Sequence, residues 1–274
     1  GNIRETDAIL HVLRCFDDGN VVHVDGSVDP IRDKEVIDME LQLKDLETVQ
    51  ARATKIKKAA QTGDKDAAKS YGFYEKVLAA LESGQSARSV ELDDSEVVMM
   101  KEMQLLTSKP VLYVCNVDEG SVVSGNAYVE QVRQAAEAEG ASIMVIGAAI
   151  EADIAELETH EERAMFLADL GLEEAGVAKL IRQAYALLDL QTFFTAGEKE
   201  VRAWTFRRGY TAPQAAGVIH TDFQKGFIRA EVMKYDDFVA LGSESAVKDA
   251  GKLSVEGKEY PVQDGDIMHF RFNV

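Results

Sequence analysis

The sequence has 274 residues, of which 46% are hydrophobic, and 30 Lys and Arg stand against 48 Asp and Glu, so the formal net charge is −18. This length and apolar content supply a core for one large domain or two to three small ones, and they exclude a disordered chain. No stretch approaches the roughly 20 uninterrupted apolar residues that span a bilayer, and no secretory leader is evident at the start, so we expect a cytoplasmic protein without a membrane partner.

Charge is distributed unevenly along the chain. Residues 117–190 hold 4 basic and 15 acidic side chains, a net of −11, whereas residues 51–70 hold 6 basic and 2 acidic side chains, a net of +4. An acidic protein with one basic segment is not a general nucleic-acid binder, but that segment can contact a polyanion locally.

The first half of the chain contains three apolar runs that end in polar turns. The opening Gly1–Asp7 resembles the middle of an amphipathic helix, which predicts further residues upstream. The runs are Ile9–Phe16, Lys109–Asn116 and Ser142–Ala149, and a helix is expected over Ala127–Glu139. Continuous apolar strands that alternate with helices predict a parallel sheet covered on both faces, and therefore a doubly wound α/β fold.

The two cysteines, Cys15 and Cys115, fall within the first two runs. Neither has a second ligand at metal spacing, so we predict reduced core residues and no metal site.

A long helical insertion separates the first two runs, over residues 33–103. Apolar residues recur there at spacings of three and four on two segments joined by Thr62-Gly63-Asp64. They are Leu46, Val49, Ala53, Ile56 and Ala60, then Ala67, Tyr71, Tyr74, Leu78 and Leu81. This pattern predicts an antiparallel hairpin with a coiled-coil seam, each arm about 25 residues and roughly 40 Å long. Its basic tip favours an arm that docks on a partner; the alternative is a solvated spacer.

The chain beyond Ile150 first contains acidic helices, over Glu151–Leu157 and Glu161–Leu190. From residue 191 onward, short β-like runs replace them. A helix is expected over Ala212–His220, among five short β-like runs: Gln191–Thr195, Val201–Phe206, Phe227–Val232, Glu259–Val262 and Ile267–Phe272. With Gly and Asp-Gly turns between them, these elements predict a β-grasp module over residues 191–274.

Candidate ligand-binding residues follow the second and third apolar runs. Asn116-Val117-Asp118-Glu119 ends the second, and Gly147-Ala148-Ala149 ends the third, where open parallel sheets bind ligands. An Asn-x-x-Asp at this point is typical of GTPases, whose Asp accepts paired hydrogen bonds from guanine. Glu119 is one methylene longer, which misplaces the carboxylate for guanine.

The sequence resembles the Obg-like ATPases, also called the YchF family, which are P-loop proteins related to translational GTPases but prefer ATP. The most specific matching segments are Thr195–Trp204 and Ala212–Gly217, and the resemblance covers nearly the whole chain. The other matching segments are Asn2–Phe16, Val22–Pro30, the hairpin, Lys109–Glu119, Ala148–Leu157, Tyr185–His220, Thr221–Glu231 and Phe270–Val274. The resemblance implies an ATPase domain over residues 1–32 and 104–190, followed by a β-grasp module of the TGS type.

The same resemblance assigns residues to an adenine site. It implies that Asn116, Val117 and Glu119 contact or shape this site, with Val117 as an apolar wall. It further implies that Ala148 presents its backbone to the base. Phe16 is expected to pack nearby, although a core aromatic is an equal alternative.

The phosphate-binding motifs of the family are missing from the printed sequence. It contains no Gly-x-x-x-x-Gly-Lys-Ser/Thr, no Mg²⁺-linked Thr loop and no Asp-x-x-Gly. We expect about 90 further residues upstream of Gly1 to carry them, together with the Mg²⁺ ligands. ATP and Mg²⁺ are therefore expected cofactors of the complete protein, and this chain alone is expected to be inactive. His23 is a candidate to orient the attacking water; a non-catalytic histidine on a short strand is the alternative.

The expected partner is the ribosome, either its large subunit or the complete particle, and the arm and the module are also candidates to contact RNA. The protein is expected to be a monomer. The candidate contacts are Arg52, Lys55, Lys57, Lys58 and Lys65 on the arm, and Arg202 and His220 in the module. A capped turn is the alternative for His220, and a core position for Trp204 beside Arg202. A ribosome- or RNA-binding adaptor without catalysis is one alternative function. A GTPase is another, against which Glu119 argues.

Overall fold

The structure is a computed structural model that describes residues 2–20, 26–197 and 200–273. The chain divides into two compact units, Gly1–Ala184 and Tyr185–Val274. Within the described ranges, no helix is long and apolar enough to cross a membrane.

The first unit contains a three-stranded parallel sheet. Its strands are β1 (Ile9–Arg14), β2 (Val111–Asn116) and β3 (Ser142–Ile146), in the order β1-β2-β3. The predicted parallel sheet and α/β class are confirmed. The predicted amphipathic helix at the start is wrong, because the chain forms only a four-residue 3₁₀ helix over Asn2–Glu5.

The sheet is buried unevenly. β2 lies in the centre and its first five residues are buried. In β1, however, Leu10 is 44% exposed and Val12 is 62% exposed, so the predicted burial of the first run on both faces is wrong. The cause is the side of the strand, because Leu10 and Val12 alternate with Ile9 and Leu13 and so lie on the face of β1 opposite the buried cluster that contains those two residues. Leu13 and Cys15, by contrast, are buried in the cluster that the sheet shares with the helix over Ala127–Ala138.

In the described residues before Leu190, seven helices of eight residues or more lie around this sheet or follow it. They are α1 (Pro30–Gln61), α2 (Lys65–Glu82), α3 (Asp94–Met103), α4 (Ala127–Ala138), α5 (Ala148–Glu156), α6 (His160–Asp169) and α7 (Gly176–Leu187). α1 begins where Asp29 accepts hydrogen bonds from the backbone N–H groups of Ile31 and Arg32 and Pro30 occupies the first turn. The helices α6 and α7 contain no buried residue.

The helices α1 and α2 form the predicted antiparallel hairpin. The turn contains Gly63 at φ +98°, and Asp64 caps α2. Val49, Ala53 and Leu81 are buried, as the seam predicts. On α2 the fully buried positions are Phe73 and Val77, which were not predicted; the predicted Tyr74 and Leu78 are half-buried and pack against the same cluster, and Tyr71 is half-buried outside it. The reason is that α2 also packs on Met100 and Met103 of α3, which rotates its apolar face away from a two-helix seam.

The second unit contains a five-stranded sheet. Its strands are β4 (Leu190–Ala196), β5 (Val201–Arg207), β6 (Phe227–Lys234), β7 (Ser254–Glu256) and β8 (Asp266–Phe272), in the order β5-β4-β8-β6-β7. The central pair β4–β8 is parallel and the other neighbours are antiparallel. One face packs on α8 (Ala212–Ile219), whose buried residues Ala215 and Ala216 permit close approach. This arrangement agrees with the predicted β-grasp module.

One predicted strand of this unit is wrong. Residues Glu259–Val262 form only an isolated bridge between Thr211 and Pro261, because Pro261 has no N–H to give to a ladder. The edge strand beside β6 is β7 instead. Three short helices were not predicted: α9 (Thr221–Lys225), α10 (Tyr235–Leu241) and α11 (Glu244–Asp249).

Candidate functional site

The ends of the three parallel strands lie together at one edge of the first unit's sheet. The Asn116 side-chain oxygen Oδ1 accepts a hydrogen bond from the backbone N–H of Ala148 at 2.9 Å. The Asn116 backbone carbonyl accepts one from the N–H of Cys15 at 2.8 Å. A single asparagine therefore holds the first residue of α5 against the end of β2, and its role in shaping a ligand site stays a prediction.

Val117 and Glu119 occupy very different environments. Val117 is 4% exposed, donates its N–H to the Ile146 carbonyl at 2.9 Å, and belongs to the buried cluster beneath the edge. Glu119 begins a 3₁₀ helix over Glu119–Ser121 and is exposed. Its carboxylate makes no hydrogen bond or ion pair with any residue the structure describes, so it is available to a ligand.

Phe16 follows β1 at the same edge and is half-buried. The guanidinium of Arg14 lies 4.9 Å from the centre of the Phe16 ring, and Arg14 Nε donates to the Phe16 carbonyl at 3.1 Å. Phe16 is therefore neither a fully buried core residue nor a free ring.

Asn126 was not predicted to contribute to this edge. Its Nδ2 donates to the Cys15 carbonyl at 2.7 Å, and its Oδ1 accepts from the N–H of Val129 at 3.1 Å and so caps α4. The neighbouring Tyr128 hydroxyl donates to Asp17 at 3.0 Å. The sequence signal was an asparagine directly before a helical run, which predicts a cap but not the bond to β1.

Glu151 of α5 was likewise missed as a positioning residue. Its two carboxylate oxygens accept from the N–H groups of Gly176 at 2.6 Å and Val177 at 3.0 Å, at the start of α7. A Cβ at Gly176 would lie 2.8 Å from both Glu151 and Ile146. The close approach of α7 to this edge therefore depends on glycine and on a carboxylate at the positive end of the helix.

The described residues contain no metal-binding constellation. Across residues 2–20, 26–197 and 200–273, no three His, Cys, Asp or Glu side chains come together in a way that could hold a metal ion. Cys15 and Cys115 are buried free thiols, as predicted. The neighbouring Cys115 thiol and burial raise the pKa of Cys15 above its ordinary value, which keeps Cys15 a neutral thiol.

The comparisons with known proteins identify the family. Residues 190–273 match the family model YchF-GTPase_C, described as a protein of unknown function (DUF933). The ribosome-binding ATPase YchF of Haemophilus ducreyi is 55% identical over 273 residues, which is 100% of this chain and 75% of the relative. The chain belongs to the YchF family. The YchF relative of Bacillus subtilis is 52% identical with the same coverage, and Obg-like ATPase 1 of rice (Oryza sativa subsp. japonica) is 44% identical over 100% of this chain and 70% of its own.

A solved YchF structure has the same fold. The YchF GTPase of Schizosaccharomyces pombe superimposes with a TM-score of 0.85 at 36% identity, covering 98% of this chain and 73% of that one. The predicted membership of the YchF family is therefore confirmed in both sequence and fold.

The basic residues of the arm lie near the hairpin tip, where the sequence places the positively charged segment. Lys55, Lys57 and Lys58 are exposed on the last turns of α1, and Arg52 is half-buried. Lys65 is exposed in the first turn of α2. These five cations form no salt bridge with residues in the described ranges, so they remain free for a partner.

The candidate contacts in the second unit are held by their own neighbours. The Arg202 guanidinium lies 4.0 Å from the centre of the Trp204 ring, and Trp204 is half-buried with its Nε1 donating to Thr195 at 2.9 Å. His220 caps α9, because its Nδ1 accepts from the N–H of Asp222 at 3.2 Å. This geometry agrees with the capped turn that was the alternative for His220. His23, the catalytic candidate, lies outside the described residues.

Proposed function

We propose that this protein is an ATP-binding and ATP-hydrolysing regulator of translation, which works in the cytoplasm as a nucleotide-controlled switch on the ribosome. The observation that carries the nucleotide part is the hydrogen bond between Asn116 and Ala148, next to the unpaired carboxylate of Glu119. Relatives at 55% and 52% identity are named ribosome-binding ATPases, which supports the ribosome as partner.

The edge residues account for a preference among bases. Asn116 fixes the first turn of α5, whose backbone N–H groups then face the base with little reorganisation. Val117 fills the core beneath and keeps this edge rigid. The longer side chain of Glu119 disfavours the paired donors of guanine, whereas adenine offers a single amino group to a carboxylate.

Binding of the ATP phosphates needs residues other than those assigned so far. The printed sequence contains no Gly-x-x-x-x-Gly-Lys-Ser/Thr, so we propose that residues 1–274 alone hydrolyse no ATP. When bound, Mg²⁺ would neutralise charge on the phosphates. His23 stays a proposal as the residue that orients water.

A titration tests the nucleotide proposal. The protein as it occurs in the cell is titrated calorimetrically with ATP and with GTP, and hydrolysis of each is measured. We expect tighter binding and faster hydrolysis of ATP. Binding without hydrolysis would instead favour the adaptor without catalysis.

A GTPase is the second candidate, because the S. pombe neighbour is titled a YchF GTPase. Tighter binding of GTP than of ATP, together with a gain of GTP affinity in Glu119→Asp, would favour it. We expect the wild-type protein to bind GTP weakly, and Glu119→Asp to raise that weak affinity.

The arm is proposed as a ribosome contact, and the protein as a monomer. Replacing Lys55, Lys57 and Lys58 together by alanine should weaken co-sedimentation with ribosomes and flatten its salt dependence, because fewer counterions are released. The matched control replaces Lys101, Lys179 and Lys248, which are also exposed and unpaired in the described chain. An unchanged salt slope in the arm variant would leave the hairpin a spacer.

A further inference from the structure

A groove of about 830 Å³ lies in the first unit, between the first half of α1 and the segment that follows α2. Residues of α1 form one wall, and residues within 81–89 form the other. The C-terminal end of α4 closes the groove at Ala138 and Glu139. Gln42 joins the two walls, because its Nε2 donates to the Gly84 carbonyl at 3.0 Å. We call this space the hairpin groove.

The wall formed by α1 carries an exposed apolar stripe, which consists of Met39, Leu43 and Leu46. Met39 is 60% exposed and Leu43 is 52% exposed, and Leu46 continues the stripe toward the buried Leu81. The three residues are spaced by four and three positions, so they lie on one face of the helix. Among the described residues of α1 from Lys44 to its end, no large apolar side chain is exposed. Exposed apolar surface on this helix is therefore concentrated in its first half, where the groove lies.

The cations that line the hairpin groove already have partners. Lys34 is buried and donates to Glu139, and Arg88 donates to the same carboxylate at 3.3 Å. The carboxylates of Glu35 and Glu82 also line the groove, and neither forms a hydrogen bond or ion pair with a residue in the described ranges. An anionic ligand thus finds no unpaired cation among these lining residues, whereas a cationic ligand finds two free carboxylates.

The end of α2 adds to the negative charge of the hairpin groove. Its last residue is the acidic Glu82, and its last turn contains no basic residue. Carbonyl groups at a helix C-terminus carry partial negative charge, so the Glu82 carboxylate is repelled by the end of its own helix. At the end of α4, by contrast, Lys34 and Arg88 both donate to Glu139. A bound cation beside Glu82 would relieve a repulsion that the described residues leave in place.

We propose that the hairpin groove binds a basic amphipathic helix of a partner protein. The apolar face of that helix covers the apolar stripe, and its Lys or Arg side chains pair with Glu35 and Glu82. Glu35 and Leu46 are 11 positions apart on α1, so the lining face is about 16 Å long, which matches about three turns of a docked helix.

The two features of the groove together select this partner. A polyamine would pair with the carboxylates but leave the apolar stripe in water, and an uncharged apolar ligand would leave both carboxylates without a partner. A helix with basic residues beside an apolar face supplies both contacts. The proposal goes beyond the proposed function, because it requires neither a nucleotide nor RNA.

Peptide titrations test the chemistry of the partner. The full chain is titrated with a fluorescent peptide of about 12 residues, whose leucines follow the helical spacing of three and four and whose other positions are mostly lysine. Two matched peptides replace either every leucine by serine or every lysine by glutamate. We expect saturable binding of the first peptide in fluorescence anisotropy, and binding of the other two that is weaker by about tenfold or more.

A double charge reversal tests the two free carboxylates. Glu35→Lys combined with Glu82→Lys should weaken binding of the first peptide about tenfold. The same variant should resist thermal unfolding at least as well as the wild type, because it places a cation at the end of α2. The control combines Glu75→Lys with Glu102→Lys, which has the same net charge. Both control residues are exposed, unpaired in the described chain and outside the groove, so affinity should stay within about twofold of wild type.

A polar substitution tests the apolar stripe. Leu43→Gln should weaken binding of the first peptide about fivefold, because it removes apolar area that the peptide covers. Val98→Gln is the control, since Val98 is similarly exposed on α3 but does not line the groove. Its affinity should stay within about twofold of wild type.

Four results would overturn the proposal. They are no saturable binding of the first peptide, equal binding of all three peptides, equal losses of affinity in the groove variants and their controls, and self-association of the wild-type chain that Leu43→Gln abolishes. The last result, measured by sedimentation velocity, would assign the groove to a second copy of this chain. Nucleotide and ribosome binding involve other residues, so their outcomes are independent of these titrations.

Discussion

Asp45, in the middle of α1, is completely buried and binds Thr107 twice. Its Oδ2 accepts from the Thr107 N–H at 2.7 Å and from the Thr107 hydroxyl at 2.8 Å. Its Oδ1 accepts from the N–H of Leu106 at 2.9 Å. One carboxylate therefore fastens the base of the helical hairpin to the segment that precedes β2.

Asp45→Ala should destabilise the first unit by about 3 kcal/mol, because it leaves buried N–H groups without an acceptor. Asp45→Asn, which keeps one oxygen, should cost less. Urea denaturation followed by far-UV circular dichroism measures both. Glu47→Ala is the control: its exposed pair with Lys44 should contribute less than about 0.5 kcal/mol. Equal stability of Asp45→Ala and the control would contradict this account.

A second buried contact joins α1 to the sheet and makes stability depend on pH. The Lys34 ammonium is buried and donates to Asp38 at 2.7 Å and to Glu139, which also accepts from the Tyr113 hydroxyl at 2.9 Å. Burial alone would raise the pKa of Glu139, but the hydrogen bonds from Lys34 and Tyr113 outweigh it and lower that pKa.

A carboxylate whose pKa is lowered by folding stabilises the native state above its unfolded pKa and loses this contribution as pH falls through the folded pKa. Glu139→Gln should therefore reduce the free energy of unfolding at pH 7, and the difference from wild type should shrink below about pH 4.5. Urea denaturation from about pH 7 to about pH 3 measures it. Glu137→Gln, two residues away and exposed, is the control, and a pH-independent difference for Glu139→Gln would refute the coupling.

Gly226 permits the closest backbone approach in the second unit. A Cβ there would overlap the Asn273 carbonyl oxygen, and the Asn273 N–H donates to the Gly226 carbonyl at 2.9 Å at the end of the sheet. Gly226→Ala should cost about 2–4 kcal/mol, because backbone atoms must separate. Gly257→Ala meets nothing within 4 Å and should change stability by less than about 1 kcal/mol. Similar thermal unfolding of the two variants would show that the approach is not needed.

The sequence predicted the strands that are most apolar and could not predict contacts between distant segments. β2 and β3 were predicted because short continuous apolar runs are typical of buried parallel strands. The hydrogen bond between Asp45 and Thr107 could not be predicted, because the two residues are separated by 62 positions and an aspartate in a helix is normally solvated. The rotation of α2, which buries Phe73, depends on α3 in the same way.

The candidate site was predicted only in part, because contacts between distant segments position some of its residues. Asn116 and Ala148 follow apolar strands, so their convergence is a consequence of parallel topology. Asn126 and Glu151 position the same edge through bonds to Cys15 and Gly176, and neither bond leaves a local pattern. The predicted strand over Glu259–Val262 is wrong because Pro261 has no N–H to give to a ladder.

The most direct test of the nucleotide site is the ATP affinity of Asn116→Ala, measured by calorimetry in the complete protein. The control is Asn126→Ala, which removes a side-chain hydrogen bond at the same edge, to the carbonyl of Cys15 after β1. We predict that Asn116→Ala weakens ATP binding by about 1–3 kcal/mol, while Asn126→Ala stays within about twofold of wild type. Unchanged affinity in Asn116→Ala, or equal losses of affinity in both variants, would contradict the assignment of this edge to the base.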